Sequence, residues 1–352
     1  MKRQAQSGPA PGPRIGSLAL DSPFVLAPMA GYTYPPFRAL CRRFGCGLVY
    51  TELVSVEGIA RRMPPSMHLL EVDPGEHPVA AHLYGHDPAR FAEAARIVTD
   101  LGRFDAIDIN AGCPVPKVVR RGDGAALMKD PARLGAIVAA VRAATSLPVT
   151  VKTRIGPSPE RPNASEVARA VEEGGADAIA IHGRYTSRRH SGPADWDAIL
   201  RVKAERRIPV IGNGGVGNPR RAVERLASGV DAVMIGRAAI GRPWFFRQAV
   251  ALWRGEEAPE PAPAERRRLL AEHLEGLVEL TRREASYRRR RRWDPEEAAA
   301  RHFRGAMIRY LAGLPGLTEM KRRLHDVRAP ADVLREADAL LGGAAAPGGS
   351  SA

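Results

Sequence analysis

The sequence predicts an α/β protein, a (β/α)8 TIM barrel followed by a small all-α helical domain. Short apolar runs alternate with segments of helix length over residues 24–235, and only helix-period segments follow residue 264. Apolar strands that alternate with helices are typical of a parallel sheet covered on both faces. Eight such units fit a closed barrel better than a doubly wound sheet, and no GxGxxG motif follows the first run, as a Rossmann fold would require.

The eight predicted strands share a β-rich apolar composition and are bounded by turn residues. They cover residues 24–28, 48–52, 79–83, 106–110, 149–153, 178–182, 209–213 and 231–235. Between them, amphipathic helices are predicted at residues 89–101, 132–144, 165–174 and 219–228.

The carboxyl ends of the predicted strands carry polar residues. The fourth run ends at Asn110, just before Cys113, the fifth carries Lys152 and Arg154, and the sixth ends at His182. Barrel enzymes place their catalytic residues at this end of the strands. The clustering therefore indicates an active site.

Glycines follow the seventh and eighth runs, at Gly214, Gly215 and Gly236. Exposed backbone N–H groups in such loops hold phosphate, and this is the usual phosphate position in barrels. Arg237 would add a charge-assisted hydrogen bond. The alternative is that these glycines only shape tight turns.

Lys152 lies inside an apolar strand, so its ammonium needs an anionic partner. A reduced flavin anion would serve, and so would an internal carboxylate such as Glu52 or Asp108. His182 is either a contact to phosphate or flavin, or a histidine satisfied within the core. Both alternatives stay open for each residue.

Cys113 lies in a Gly-Cys-Pro loop directly past a strand end. A thiol exposed there can act as a general acid; the alternative is a buried structural cysteine, which we expect for Cys41 and Cys46. Three scattered cysteines do not make a disulfide framework, and no Cys/His cluster has the spacing of a metal site.

The composition divides the chain into five regions. Residues 1–14 predict a disordered leader, 15–250 the barrel, 251–264 a proline-punctuated linker, 265–341 a helical domain and 342–352 a disordered low-complexity tail. No run approaches the roughly 18 to 20 apolar residues of a membrane helix, and the leader lacks a signal-peptide core. We therefore expect a cytoplasmic protein, and nothing suggests more than a monomer.

The net charge of +14 favours a polyanionic partner. Residues 265–335 hold 18 Lys/Arg against 11 Asp/Glu, so half of the surplus lies in this segment. The densest charge in this segment is the run Arg288, Arg289, Arg290, Arg291 and Arg292. Bound phosphates would relieve the repulsion among these five side chains. An arginine-rich proteome and a solvated charge run are the alternatives.

Taken together, the ordered motifs resemble the tRNA-dihydrouridine synthases, particularly the B-type bacterial subgroup, over roughly residues 15–335. Any single motif is weak, but the set is specific. The motifs are APMAG at 27–31, TE at 51–52, INAGCP at 109–114, VKTRIG at 151–156, HGR at 182–184, SGPADW at 191–196, GNGG at 212–215 and IGR at 235–237.

The resemblance implies FMN as cofactor, NADPH as reductant, and hydride transfer to C6 of a flipped-out uracil in tRNA. Cys113 falls on the family's cysteine and is implied to protonate C5. The implied cofactor contacts are Pro28, Met29, Ala30, His82, Lys152, His182, Asn213, Gly214, Gly215, Gly236 and Arg237. The expected substrate contacts are Asn110, Arg154 and Arg184, and Arg301 and His302 join the arginine run as expected RNA contacts.

Two positions depart from the family pattern. The family usually has a glutamine on the third strand that bonds to the flavin, whereas this chain has His82, which offers one donor and one acceptor when neutral. The family's usual acidic residue after Gly214 is here Gly215. We expect changed flavin affinity or potential, but an intact proton donor.

Three alternatives stay open. One is a dihydroorotate dehydrogenase-like flavin barrel acting on a small substrate, against which the basic helical domain argues. Another is a non-catalytic RNA-binding protein or tRNA chaperone, against which Cys113 and Lys152 argue. The third is reduction of uridine in ribosomal RNA, which would use the same chemistry.

Overall fold

The computed structural model describes residues 12–285 and 293–343. The chain forms two compact units: one comprises the residues up to 238 together with 245–258, and the other comprises 239–244 together with the residues from 259 onward. This division differs from the expected one, because a short segment before residue 250 belongs to the second unit. The predicted leader and tail lie outside the described residues except for 12–14 and 342–343.

The strands in the described ranges are Arg14–Ile15 (β1), Leu18–Ala19 (β2), Phe24–Leu26 (β3), Val49–Tyr50 (β4), Val54–Ser55 (β5), Val79–Tyr84 (β6), Ala106–Asn110 (β7), Val149–Arg154 (β8), Ala178–His182 (β9), Val210–Asn213 (β10) and Ala232–Ile235 (β11). The α-helices of the first unit are Pro35–Arg43 (α1), Val56–Ala60 (α2), Pro64–His68 (α3), Pro88–Asp100 (α4), Pro116–Val119 (α5), Pro131–Ala144 (α6), Ala164–Glu173 (α7), Trp196–Glu205 (α8), Pro219–Ala227 (α9) and Phe245–Trp253 (α10).

Eight parallel strands form the predicted barrel, in the order β3-β11-β10-β9-β8-β7-β6-β4. The backbone N–H of Leu26 donates to Leu48 (2.9 Å) and that of Gly47 donates to Phe24 (2.7 Å), so hydrogen bonds also join the two ends of this order. The TIM-barrel prediction is confirmed, and every predicted strand boundary lies within two residues of the observed one. Because the strands are parallel, all their carboxyl ends meet at one mouth.

The barrel interior is filled at its amino end by a tyrosine among small residues. Tyr50 is completely buried beside strand residues that include Ala80, Ala106 and Ala178. These alanines leave room for the phenol ring at a density that a packed core requires. The hairpin formed by β1 and β2 contributes Ile15 to the same cluster.

Several helices around the barrel begin with the same local device. The N-cap residues Asp87, Asp130 and Asn218 each accept a hydrogen bond from a backbone N–H of the first turn, and a proline occupies the first helical position. Both features satisfy or remove N–H groups that a helix start would leave unpaired. This fixes where the loops at the barrel mouth end.

The second unit is helical, as predicted. Its α-helices are Pro263–Ala285 (α11), Pro295–Tyr310 (α12), Leu317–Arg322 (α13) and Pro330–Gly343 (α14), and α11, α12 and α14 pack on one another. His273, Phe303 and Tyr310 form a buried aromatic cluster with Trp244. Burial lowers the pKa of His273 to about 3, so the ring is neutral there. Within the described ranges, no helix combines the length and apolar character that a membrane crossing requires.

Candidate active site

The barrel register brings the predicted site residues side by side at the mouth. Asn110 is opposite Lys152 in the pairing of β7 with β8, and Arg154 is opposite His182 in that of β8 with β9. His182 is in turn opposite Asn213 on β10. The strand ends therefore form one contiguous surface of polar side chains.

Cys113 lies on the loop after β7, and its position is set by the end of that strand. The side-chain oxygen of Asn110 accepts hydrogen bonds from the backbone N–H groups of Gly112 (3.3 Å) and Cys113 (3.0 Å). Cys113 is half-buried. Burial raises the pKa of the thiol, and this effect outweighs the opposing effects of a backbone hydrogen bond from Val115 and of the charges of Arg154 and Lys152. The thiol is therefore protonated at neutral pH, as a proton donor must be.

Four cations gather around this mouth without carboxylate partners. Lys152, Arg154, Arg184 and Arg237 form no ion pair in the part of the chain that the structure describes. The two carboxylates considered as partners for Lys152 are engaged elsewhere: Glu52 accepts the N–H of Gly31 (2.5 Å), and Asp108 is bonded to other side chains. Such a cluster is suited to an anionic ligand.

The charge cluster shifts the pKa values of its own members. Burial, reinforced by Arg154, lowers the pKa of Lys152 to about 8. Burial lowers the pKa of Arg154 to about 10. For His182, burial and then the cations Lys152, Arg154 and Arg184 lower the pKa, so the imidazole is neutral and its Nε2 accepts from Arg184 Nη1 (3.1 Å).

Arg154 and Arg184 also hold backbone around the mouth. Arg154 Nε donates to the carbonyl of Gly112 (2.8 Å) and its Nη1 donates to that of Arg189 (2.8 Å). Arg184 Nε donates to the carbonyl of Gly192 (2.9 Å). These two of the three expected substrate contacts thus shape the loops that would surround a substrate.

The turn after β10 requires glycine. Gly214 has a φ of +114°, and a Cβ at this position would come within 2.7 Å of the His182 ring. The indole N–H of Trp196 donates to the carbonyl of Gly214 (2.9 Å), and Asn213 Nδ2 donates to that of Met234 (2.7 Å). A rigid, open backbone turn therefore lies beside the cation cluster, which is a combination that fits a phosphate group.

The turn after β3 contains Pro28, Met29 and Ala30. It is supported by Thr33 and Arg38, which the sequence did not point to. Thr33 Oγ1 bonds to both the N–H (3.0 Å) and the carbonyl (3.1 Å) of Met29. Arg38 donates to the carbonyl of Thr33 (2.6 Å) and to Glu76 (2.5 Å), and both charged side chains are fully buried. The sequence feature that could have revealed this ion pair is the position of Arg38 on the apolar face of α1, next to Phe37.

His82 is bonded to protein atoms through both ring nitrogens. Its Nδ1 bonds to Asp108 Oδ2 (2.5 Å) and its Nε2 to Asn110 Nδ2 (2.8 Å). A hydrogen bond from this ring to a cofactor would require one of these bonds to break. The expected cofactor contact of His82 stays a prediction.

The expected RNA contacts lie in the second unit or outside the described residues. Arg301 is bonded through two nitrogens to Glu297 (2.7 and 2.9 Å) and stacks over Trp293, with 4.7 Å between guanidinium and ring. His302 is exposed. The run at 288–292 lies outside the described residues. In the described ranges, no group of His, Cys, Asp and Glu has a metal-binding arrangement.

The chain is similar to known proteins over nearly its whole length. The sequence profile of the dihydrouridine synthase family matches residues 25–341. A probable tRNA-dihydrouridine synthase of Mycobacterium tuberculosis is 38% identical over 340 residues, which cover 93% of this chain and 84% of that protein. tRNA-dihydrouridine synthase B of Pseudomonas aeruginosa is 38% identical over 328 residues, which cover 92% and 95%. A solved mandelate oxidase variant with benzaldehyde is 20% identical, covers 73% of this chain and 78% of its own, and has a TM-score of 0.48.

Proposed function

The chain belongs to the dihydrouridine synthase family, and on that premise we propose that it reduces uridine in transfer RNA to 5,6-dihydrouridine. The names of the relatives supply the substrate class. The single observation that carries the proposal is the position of Cys113. Its protonated, half-buried thiol lies at the mouth of a barrel whose strand ends gather unpaired cations.

The residues present fit FMN as the cofactor, with NADPH as reductant. Asn213, Gly214, Gly215, Gly236 and Arg237 would hold the phosphate, since they combine an open turn with positive charge. His182 would lie beside that phosphate as a neutral ring. Lys152 would contact the flavin, and Pro28, Met29 and Ala30 would line its ring system. When bound, reduced FMN supplies the hydride that C6 of the uracil receives.

The chain's own residues would bind the base and supply the proton. Asn110, Arg154 and Arg184 would hold the uracil next to Cys113. As hydride reaches C6, the Cys113 thiol would transfer its proton to C5, which leaves a thiolate that solvent reprotonates. The neighbouring Lys152 and Arg154 would stabilise that thiolate, because they already favour the charged form.

A uridine in folded RNA must leave its stack to reach such a site. Its phosphates would be held through sequence-independent charge contacts. We assign these contacts to the basic second unit, with His302, and to the run Arg288–Arg292. Arg301 would contribute less, because Glu297 already neutralises it. This activity would place the protein in the cytoplasm.

The test is position-resolved detection of dihydrouridine after incubation with FMN, NADPH and unmodified RNA. We expect the base at defined tRNA positions, and a loss of about 10²-fold or more in single-turnover rate for Cys113→Ala, as for removal of a general acid. Flavin content and RNA affinity should stay as in the parent. Product in ribosomal RNA alone would change the substrate, and an undiminished Cys113→Ala rate would remove Cys113 from the chemistry.

A further inference from the structure

Four buried polar residues form one connected hydrogen-bond chain inside the barrel. His82, Asp108 and Thr150 lie opposite one another across β6, β7 and β8, and all are at most 2% exposed. Thr150 Oγ1 donates to Asp108 Oδ1 (2.5 Å), and Asp108 Oδ2 bonds to His82 Nδ1 (2.5 Å). Asn110, two residues further along β7 on the same face, bonds to His82 Nε2 (2.8 Å).

The direction of each bond in this chain follows from the groups involved. The Asp108 carboxylate can only accept, so His82 Nδ1 carries the proton that it receives. The amide nitrogen of Asn110 can only donate, so His82 Nε2 is the acceptor. His82 is therefore the neutral Nδ1–H tautomer, and Asp108 selects that tautomer.

This tautomer fixes which way the Asn110 amide points. With its nitrogen directed at His82, its oxygen faces the backbone N–H groups of Gly112 and Cys113 and accepts from both. A reversed amide would set its NH2 group against these two donors. The polar chain thus extends from Thr150 to the backbone of Cys113 without a break.

From this geometry we propose that His82 is a positioning residue for Cys113. Held by Asp108, it locks the Asn110 amide, and Asn110 in turn holds the loop that carries the thiol. The inference rests on the proposed function only in treating Cys113 as the proton donor. It also leaves Asn110 with a single uncommitted N–H, so Asn110 would contact a base as a donor to a carbonyl oxygen.

Two isosteric substitutions separate the two bonds of His82. In His82→Asn the side-chain nitrogen can replace Nδ1 toward Asp108, but the side chain is too short to reach Asn110. In His82→Gln the side-chain oxygen can replace Nε2 and accept from Asn110, while the bond to Asp108 is given up. If the lock on Asn110 matters, the Gln variant keeps the Cys113 loop in place and the Asn variant does not.

The first readout is backbone hydrogen exchange of the peptide that contains Gly112 and Cys113, measured on the full chain by mass spectrometry. We expect exchange on the order of 10-fold faster in His82→Asn, because opening of the loop becomes easier, and exchange within about twofold of the parent in His82→Gln. A peptide covering β9 serves as the control and should exchange alike in all three proteins.

The second readout is dihydrouridine formation. A misplaced reacting group costs on the order of 10- to 100-fold in rate, so kcat should be lower by that amount in His82→Asn than in His82→Gln, at an unchanged KM for tRNA. Equal exchange in His82→Asn and parent, or equal losses in both variants, would overturn the positioning role. Faster exchange in His82→Asn with an inactive parent would refute the proposed function and leave the hydrogen-bond lock standing.

Discussion

Replacing Arg38 by methionine should destabilise the first unit more than any ordinary surface substitution. Arg38 bonds to Glu76 at 2.5 Å and to the carbonyls of Thr33 and Glu71, and it is 1% exposed. Without the guanidinium, the Glu76 carboxylate stays buried, and among the residues that the structure describes only the N–H of Asp73 (2.7 Å) donates a hydrogen bond to it.

Breaking a buried ion pair from one side costs about 3–5 kcal/mol, because the remaining charge is uncompensated. For a unit of this size, 1 kcal/mol corresponds to about 2–4 °C in Tm. Arg38→Met should therefore lower the Tm of the first unit by roughly 6–20 °C. Adding Glu76→Gln should recover part of the loss, since a neutral amide can be buried at lower cost.

Differential scanning calorimetry of the full chain measures this effect, with Arg90→Met as the matched control. Arg90 is bonded to Glu93 and Glu57 on the surface and its side chain is 45% exposed, so its replacement should change Tm by no more than about 4 °C. If Arg38→Met behaves like the control, or if Glu76→Gln worsens it, the buried pair does not support the unit in the way argued.

Two further predictions concern titratable groups. Since the pKa of Lys152 is about 8, much of its side chain is a neutral amine near pH 8.5. An anion bound beside it should favour protonation of that amine, so FMN binding at this pH should be accompanied by proton uptake in the parent that is absent in Lys152→Met. Calorimetric titration in two buffers of different ionisation enthalpy measures this, and identical uptake in both proteins would contradict it. His273 has a folded pKa of about 3 against an ordinary value of about 6.5, so the unfolded state binds more protons between these values. The contribution of the neutral His273 ring to the free energy of unfolding is then fully present above about pH 6.5 and falls by a few kcal/mol toward pH 3. In His273→Leu the urea midpoint of unfolding should fall less steeply as the pH is lowered. Parallel curves of midpoint against pH in the two proteins would contradict this.

The barrel could be predicted because its signal is local. Each strand is an apolar run that must be buried on both faces, and its boundaries follow from the turn residues around it. The polar residues at the strand ends could also be predicted, since parallel strands bring their carboxyl ends together whatever the register. That reasoning led to Cys113, Lys152 and His182 without any knowledge of distances.

The polar chain through His82 and the pair of Arg38 with Glu76 could not be predicted in the same way. His82 bonds to a residue 26 positions away, and only the register of β6 with β7 places Asp108 opposite it. Arg38 and Glu76 are 38 positions apart. Partners at such separations depend on how elements pack, which a single sequence does not specify.

The division of the chain into two units restricts where segments can be exchanged between this protein and its relatives. Residues 239–244 belong to the second unit although residues on both sides of them belong to the first. Trp244 lies against Tyr310, and its indole N–H donates to Glu260 (3.2 Å). No single crossover point therefore separates the helices from the barrel. An exchange of the helical part between relatives would have to transfer residues 239–244 as well as the carboxyl-terminal stretch. These two segments are therefore expected to be exchanged together.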